Sequence, residues 1–273
     1  MTRIVIEAER STARYWSDLW RYRELFYFLA WRDVLVRYKQ TVIGVAWAIL
    51  RPFLTMLVFS AIFSRLAKLP TEVGAPYPVM VFVGMLPWQF FATAASEAAG
   101  SLVGNANLIS KIYFPRMIVP ASSVMTSLFD FAMNLLIMAG LMVYYDFYPG
   151  WTVVALPMFT LLALAAALGG GLWLSALNVK YRDFRYITPF IVQFGLYVSP
   201  VGFSSRVVPD RWQTLYCMNP MVGIIDGFRW ALLGGRIEKI LPGLISSAVL
   251  SVALLGSGLW FFRRTERSFA DII

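Results

Sequence analysis

The sequence predicts an all-α membrane protein. Of its 273 residues, 59% are hydrophobic and 14% are charged, with a mean hydropathy of +0.66. An ordinary soluble domain carries about 25% charged and 45–50% apolar residues. Surface-to-volume scaling limits how much apolar surface a soluble core of this length can bury. Lipid is therefore expected to replace water over much of the chain. The apolar residues also cluster in six stretches that meet or approach the roughly 20 residues a bilayer-spanning helix needs. These are Val42–Ser64, Tyr77–Ser96, Met117–Tyr145, Trp151–Leu177, Tyr186–Phe203 and Ile240–Phe262, and Tyr77–Ser96 and Trp151–Leu177 hold no charge at all. The alternating segments of about 10 residues that mark a membrane β-barrel are missing.

In chain order, residues 1–41 read as a cytoplasmic N-terminus without the compact apolar core of a cleavable signal. Within it, Arg14–Gln40 is predicted to form one amphipathic helix. Leu19, Tyr22, Phe26, Leu29 and Ala30 fall on one face, and Arg21, Glu24, Arg32 and Lys39 on the other. Aromatic residues opposite basic ones suit a helix lying in the membrane interface, and a cytoplasmic helix packed on a partner is the alternative. Residues 42–273 then form a six-helix transmembrane domain. Its cytoplasmic connection Gly100–Pro120 contains Pro115 and Pro120, which are expected to set sharp helix boundaries, and its tail runs over 263–273. The external segment 204–239 is too apolar for a plain loop and too interrupted to span, which predicts a re-entrant helical pair. Turns at membrane depth persist only where protein or water covers them.

Orientation follows from Lys and Arg, which are retained on the cytoplasmic side in short loops. The N-terminus carries Arg3, Arg10, Arg14, Arg21, Arg23, Arg32, Arg37 and Lys39, and the tail carries Arg263, Arg264 and Arg267. Lys111 and Arg116, then Lys180, Arg182 and Arg185, lie in two loops on the same side. Both termini are thus placed in the cytoplasm of a multi-pass protein. The net charge of +9 reflects this topology, and nucleic acid is not an expected partner.

The ionisable residues inside the spans are Arg51, Asp130 and, at an edge, Glu97, and they read as isolated. No paired carboxylates, metal-ligand cluster or nucleophile–base set emerges, and histidine, the commonest metal ligand, is absent. No catalytic or metal site is expected. Nor is there a phosphate-binding loop of the G-x-x-x-x-G-K-[ST] form. Gly169–Gly171, Gly256, Gly258 and Gly84 read instead as close helix-packing positions. The single Cys217 excludes an internal disulfide.

Three segments resemble a known family. Gly44-Val-Ala-Trp47 with Arg51-Pro52 is similar to the opening of the first span in ABC-type permeases that export polysaccharide and teichoic acid. The run from Asn107 through Lys111 to Phe114-Pro115-Arg116 resembles that family's cytoplasmic loop after the second span. Asn219-Pro220 through Asp226-Gly227-Phe228-Arg229 to Leu233-Gly234 resembles its last external loop. The resemblance implies a homodimer bound to two copies of a separate ATP-hydrolysing subunit, which binds ATP and magnesium, so that this chain carries no cofactor. It also implies a glycan cargo on a lipid carrier in the bacterial cytoplasmic (inner) membrane. O-antigen on undecaprenyl diphosphate is favoured over capsule, teichoic acid, a small lipid or a drug. From another class, a membrane enzyme acting on lipid-linked sugars is a second reading, and a passive channel or scaffold a third.

On this reading Asn107, Leu108, Ile109, Lys111, Phe114, Pro115 and Arg116 are the expected ATPase-coupling residues. Lys111 and Arg116 have the alternative role of holding the loop at lipid headgroups. Asn178–Tyr186 is a second possible contact. Arg51 sits about nine residues into its span, roughly 14 Å along at about 1.5 Å per residue. It either snorkels to the interface or faces a cavity and attracts a diphosphate. Phe53, Phe59, Trp88, Phe90, Phe91, Phe194, Tyr197 and Phe203, with Arg51, are expected to line the substrate pathway, because sugars stack on aromatic rings. Tyr15 and Trp16 are the expected cytoplasmic gate. In the external segment Trp212, Asn219, Pro220, Asp226, Arg229 and Trp230 are singled out. Asp226 and Arg229 are three residues apart and share a helix face, which predicts an ion pair pinning the re-entrant helices.

Overall fold

The computed structural model describes residues 12–39, 44–66, 68, 71, 74–266 and 269, and every regular element among them is helical. The expected span start at Val42, the helix end at Gln40, the basic residues Arg3 and Arg10, and Arg267 and residues 270–273 of the tail lie outside the described residues.

The predicted single amphipathic helix is two, α1 (Thr12–Arg21) and α2 (Arg23–Lys39). The Tyr22 N–H donates to the Asp18 carbonyl at 2.9 Å and the Phe26 N–H to the Tyr22 carbonyl at 3.1 Å, so the hydrogen-bond ladder runs through the turn between them. Tyr15, Leu19, Tyr22, Leu25 and Phe26 pack, with the buried Leu29, on a core that includes Leu102, Phe114 and Phe262. Arg32 departs from the predicted polar face. It is half-buried and donates to Asp33 at 2.7 Å and to Asn105 Oδ1 at 3.0 Å.

Beyond them lie α3 (Gly44–Ser60, running on as a π-helical turn Ala61–Leu66), α4 (Tyr77–Gly104), the short α5 (Ala106–Lys111) and α6 (Ile118–Tyr144). They are followed by α7 (Leu156–Lys180, preceded by a 3-10 turn at Trp151–Ala155), α8 (Phe184–Val198), α9 (Asp210–Tyr216), α10 (Pro220–Leu233) and α11 (Leu241–Thr265). Among the described residues, four helical segments are long and apolar enough to cross a membrane: Tyr77–Gly104, Ile118–Tyr144, Trp151–Lys180 and Leu241–Thr265. The central one is α4, which packs on α6, α7 and α10. A run such as Val79–Val83 is fully buried there, as expected of a helix that is apolar on every side.

Three predicted boundaries move. The connection Gly100–Pro120 shortens to 105–117, because α4 continues to Gly104 and α6 starts at Ile118. Pro120 then falls in the first turn of α6, where a missing N–H costs no hydrogen bond. The fifth stretch, predicted over Tyr186–Phe203, is helical only over Phe184–Val198. The chain turns away there because its next carbonyls are claimed from outside. Arg229 takes those of Val201 and Phe203, and the Tyr77 hydroxyl takes that of Gly202 at 2.7 Å.

Two helices stand in the segment 204–239, where a pair is expected, and they are unequal. α9 is largely exposed, whereas α10 is a core helix packed on α4, α7 and α11. Asn219 caps α10, accepting from the Met221 N–H at 3.0 Å, with Pro220 at the first helical position. Gly223 lets α10 close on α11, since a Cβ there would lie 2.3 Å from the Gly243 carbonyl oxygen. The expected packing glycines divide likewise. Gly169 and Gly258 place the backbones of α7 and α11 in direct contact, and Gly84 meets the Val201 carbonyl. A Cβ on Gly256 would meet nothing within 4 Å among the described residues.

Candidate functional site

A cavity of about 770 Å³ opens between α2, α3, α4, α6 and α8. Of the residues expected along a substrate pathway, Arg51, Trp88, Phe90 and Tyr197 line it. The other five do not. Phe53 and Phe194 are exposed on the outer surface of the chain. Phe59 and Phe203 both pack against Phe63 with tilted rings, at 5.6 and 6.3 Å between ring centroids. Phe91 packs behind Trp88 at 5.7 Å. The wall is mixed, with Gln89, Thr93, Ser96, Asn134 and Gln193 facing the same space as Met85, Phe131 and Leu196. Sequence reasoning weighted the rings and missed these amides and hydroxyls, which look like incidental polar residues when each span is read alone.

The charges converge as well. Glu97 and Asp130, read as isolated, share one guanidinium. Arg37 at the end of α2 donates to Glu97 through one terminal nitrogen and to Asp130 through the other. The Tyr38 hydroxyl donates to the second oxygen of Asp130. Burial would favour the neutral form of Arg37, but Glu97 and Asp130 outweigh it and hold the side chain even more firmly protonated. The Tyr38 hydroxyl is pushed up by burial first and by its bond to Asp130 second. Arg37 thus ties α2 to both α4 and α6, and Tyr38 reinforces the α6 side. Neither residue was singled out in the sequence, where Arg37 was one of eight basic residues counted before the first span. Arg51 is exposed at the cavity wall and makes no ion pair among the described residues.

A first prediction concerns this triad. Its side chains keep 23–42% of their exposure, so solvent screening limits each ion pair to about 1 kcal/mol or less. Arg37→Met should lower the thermal midpoint of the detergent-purified chain modestly. Arg37→Lys should fall between, because an ammonium cannot fork to two carboxylates. Adding Glu97→Gln and Asp130→Asn to Arg37→Met should recover most of the loss. No recovery would mean that Arg37 acts through packing and not through charge.

At the far end of α4, the connection 105–117 is tied down on both flanks. Asn105 donates to the Ser101 carbonyl at 2.9 Å and accepts from Arg32 at 3.0 Å. On the other flank, the Arg116 N–H donates to a Glu266 carboxylate oxygen at 2.7 Å and its guanidinium to the Glu266 carbonyl at 2.5 Å. Of the expected coupling residues, Asn107 and Lys111 are exposed and Leu108 is half-buried. Ile109, Phe114 and Pro115 are buried, and Arg116 is committed to Glu266. The exposed apolar residues of this connection are Ile112 and Tyr113, each 54% exposed. Both lay within the recognised run but were passed over for its charges and prolines.

The expected gate residues part company. The Tyr15 hydroxyl donates to Glu266 at 2.9 Å and its ring lies 4.8 Å from the Arg263 guanidinium, while Trp16 is 47% exposed. Neither lines the large cavity. Burial pushes the Glu266 carboxyl up, against the bonds from Arg116 and Tyr15, which hold it down. The same burial, with the neighbouring Glu266 charge, raises the Tyr15 hydroxyl.

The residues singled out in the segment 204–239 form a brace. Arg229 and Asp226 face each other at 4.0 Å, the Ser205 hydroxyl donates to Asp226 at 2.6 Å, and Asn219 donates to Ser199 at 2.9 Å. Trp230 meets Phe159 edge-on at 6.3 Å, and Trp212 is exposed on α9. Together these contacts hold the chain reversal after α8 against α10.

Comparison with known proteins places these features in one context. A family model described as ABC-2 type transporter matches residues 24–233. The O-antigen export system permease protein RfbA of Myxococcus xanthus is 29% identical over 260 residues, covering 94% of this chain and 98% of its own. Its namesake in Klebsiella pneumoniae is 27% identical over 246 residues, covering 89% and 92%. The polysialic acid transport protein KpsM of Escherichia coli is 21% identical over 238 residues, covering 87% and 92%. The matched family segment takes in the cavity and the connection 105–117, but Tyr15 and Glu266 lie outside it.

Proposed function

This chain belongs to the ABC-2 type transporter family, and on that premise we propose that it is the permease of an ATP-driven exporter. Its cargo is a lipid-linked polysaccharide moved outward from the cytoplasmic face, with undecaprenyl-diphosphate-linked O-antigen favoured. The relatives named for O-antigen export support that choice, and the one named for polysialic acid transport makes capsule the nearest alternative. Six spans (α3, α4, α6, α7, α8 and α11) would place both termini in the cytoplasm. The chain is not an enzyme by itself: Glu97 and Asp130 are both tied to Arg37, which suits bracing better than general acid–base work. A second copy of the chain would meet it along the exposed apolar faces of α3 and α8, which carry Leu54, Val58, Phe190 and Phe194.

The observation that carries this reading is the connection 105–117. It is a short helix-and-turn held at both flanks, presenting Lys111, Ile112 and Tyr113 outward. A lever that transmits ATPase closure to the spans needs firm attachment and an exposed contact surface, and this segment supplies both. Two ATPase copies, which bind ATP and magnesium, would dock here. The test is purification in mild detergent with identification of co-purifying proteins. A stoichiometric ATPase is expected with the native chain. Ile112→Asp with Tyr113→Asp should reduce its recovery at least tenfold, since charging a central apolar contact costs about 2 kcal/mol or more, while the permease itself stays monodisperse. A native chain that purifies alone in several detergents would sink the exporter reading. Accumulation of undecaprenyl-linked O-antigen inside cells lacking the protein would support the favoured cargo, and its normal export would overturn it.

A further inference from the structure

We propose that Glu266 is a positioning residue that latches the ATPase-coupling connection to both the interfacial helix α1 and the end of the last span α11. The inference rests on the reading of 105–117 as that connection. Three elements far apart in sequence meet at this one side chain. One carboxylate oxygen accepts from the Arg116 backbone N–H and the other from the Tyr15 hydroxyl, residues 150 and 251 positions away. The Glu266 carbonyl takes the Arg116 guanidinium. A separate contact closes the cluster, since Arg263, one turn before Glu266, lies over the Tyr15 ring. Phe262 and Phe269 bury beneath it beside Phe114 and Met117.

A carboxylate taken out of water is costly unless its oxygens are bonded. Here both oxygens have donors, and those donors belong to the elements that must move together. An outward pull on 105–117 would therefore reach α11 and α1 directly as well as the adjoining α4 and α6. Truncating Glu266 removes both carboxylate contacts, so the C-terminal flank of the connection keeps only the Arg116 guanidinium on the Glu266 carbonyl and the apolar packing of Phe114 and Met117, while Arg32–Asn105 holds the other flank. Motion of the ATPase would then be absorbed in the connection and not delivered to the spans.

The experiment uses the full permease–ATPase complex reconstituted in proteoliposomes, with ATP hydrolysis, glycan export and thermal midpoint measured together. Glu266→Ala should leave hydrolysis running but lower export per ATP roughly tenfold, the scale set by losing hydrogen bonds to a charged group. Glu266→Gln should restore coupling, because its amide oxygen still accepts a donor while the charge is gone. Tyr15→Phe keeps the ring beside Arg263, folds like the native chain, and should show a smaller loss of about two- to fivefold for one hydrogen bond. In the Glu266→Ala background it should add nothing. A purely structural role would lower the midpoint of each variant and leave export per ATP unchanged, which overturns the proposal. So would Glu266→Gln behaving as Glu266→Ala does. A native chain with no ATPase to reconstitute would overturn the underlying reading itself.

Discussion

Arg229→Ala should destabilise the chain by about 3–5 kcal/mol, the scale for breaking a buried pair from one side. Arg229 is 1% exposed and does three things at once. It donates to the Phe203 carbonyl at 2.8 Å and to the Val201 carbonyl at 3.1 Å, and it faces Asp226 at 4.0 Å. Truncation removes the donors of two carbonyls in the reversal after α8 and the countercharge of a buried carboxylate. The Ser205 hydroxyl, at 2.6 Å, stays on Asp226 but brings no charge. Arg229→Lys should lose less, since an ammonium keeps the charge but cannot span both carbonyls. Adding Asp226→Asn to Arg229→Ala should recover part of the loss by removing the charge that faced the guanidinium. The measurement is thermal unfolding in detergent, followed by the loss of monodisperse protein. Arg229→Glu or Arg229→Gln matching the native midpoint would show that the brace is dispensable.

The second large effect is expected at the crossing of α7 and α11. A Cβ on Gly169 would lie 2.6 Å from the Leu254 carbonyl carbon and from the Leu255 nitrogen, and one on Gly258 would lie 2.5 Å from the Gly169 carbonyl oxygen. All of these are backbone atoms, which no rotamer change can move aside. Gly169→Val should therefore cost about 3 kcal/mol, at the top of the usual range for overpacking, with the helices forced apart. Gly256→Val is the internal control. It lies on the same helix as Gly258, a Cβ there would meet no atom within 4 Å, and the change should alter stability by about 0.5 kcal/mol at most. Equal behaviour of the two variants in the same unfolding assay would contradict the crossing.

The contrast between Gly256 and Gly258 shows where sequence reading runs out. Both stand in an apolar helix with serine or leucine beside them, and small-residue spacing selects both equally. Only the neighbour's backbone distinguishes them. The segment 204–239 behaves the same way. Its apolar residues predicted a helical pair, but nothing local said that α10 would be buried and α9 exposed. The connection 105–117 was found by resemblance, which does not say which of its apolar side chains, Phe114 or Ile112, faces outward. One is buried at 4% exposure and the other is open, according to which side of the turn meets Met117 and Phe262.

The sequence by itself determined the helical class, the family, and the long apolar stretches Tyr77–Ser96, Met117–Tyr145, Trp151–Leu177 and Ile240–Phe262, each of which falls on a helix long and apolar enough to cross a membrane. Those properties are carried by runs of neighbouring residues, and local composition with a helical period expresses them. The tertiary structure decided which charges share a partner, which rings line a cavity and which side chain latches the connection. Arg37 finds Glu97 and Asp130, and Glu266 finds Tyr15 and Arg116, across separations of 60 to 251 residues. No periodicity reports such pairs, because hydrogen-bond partners in a helical bundle are set by how the helices cross and not by their spacing along the chain.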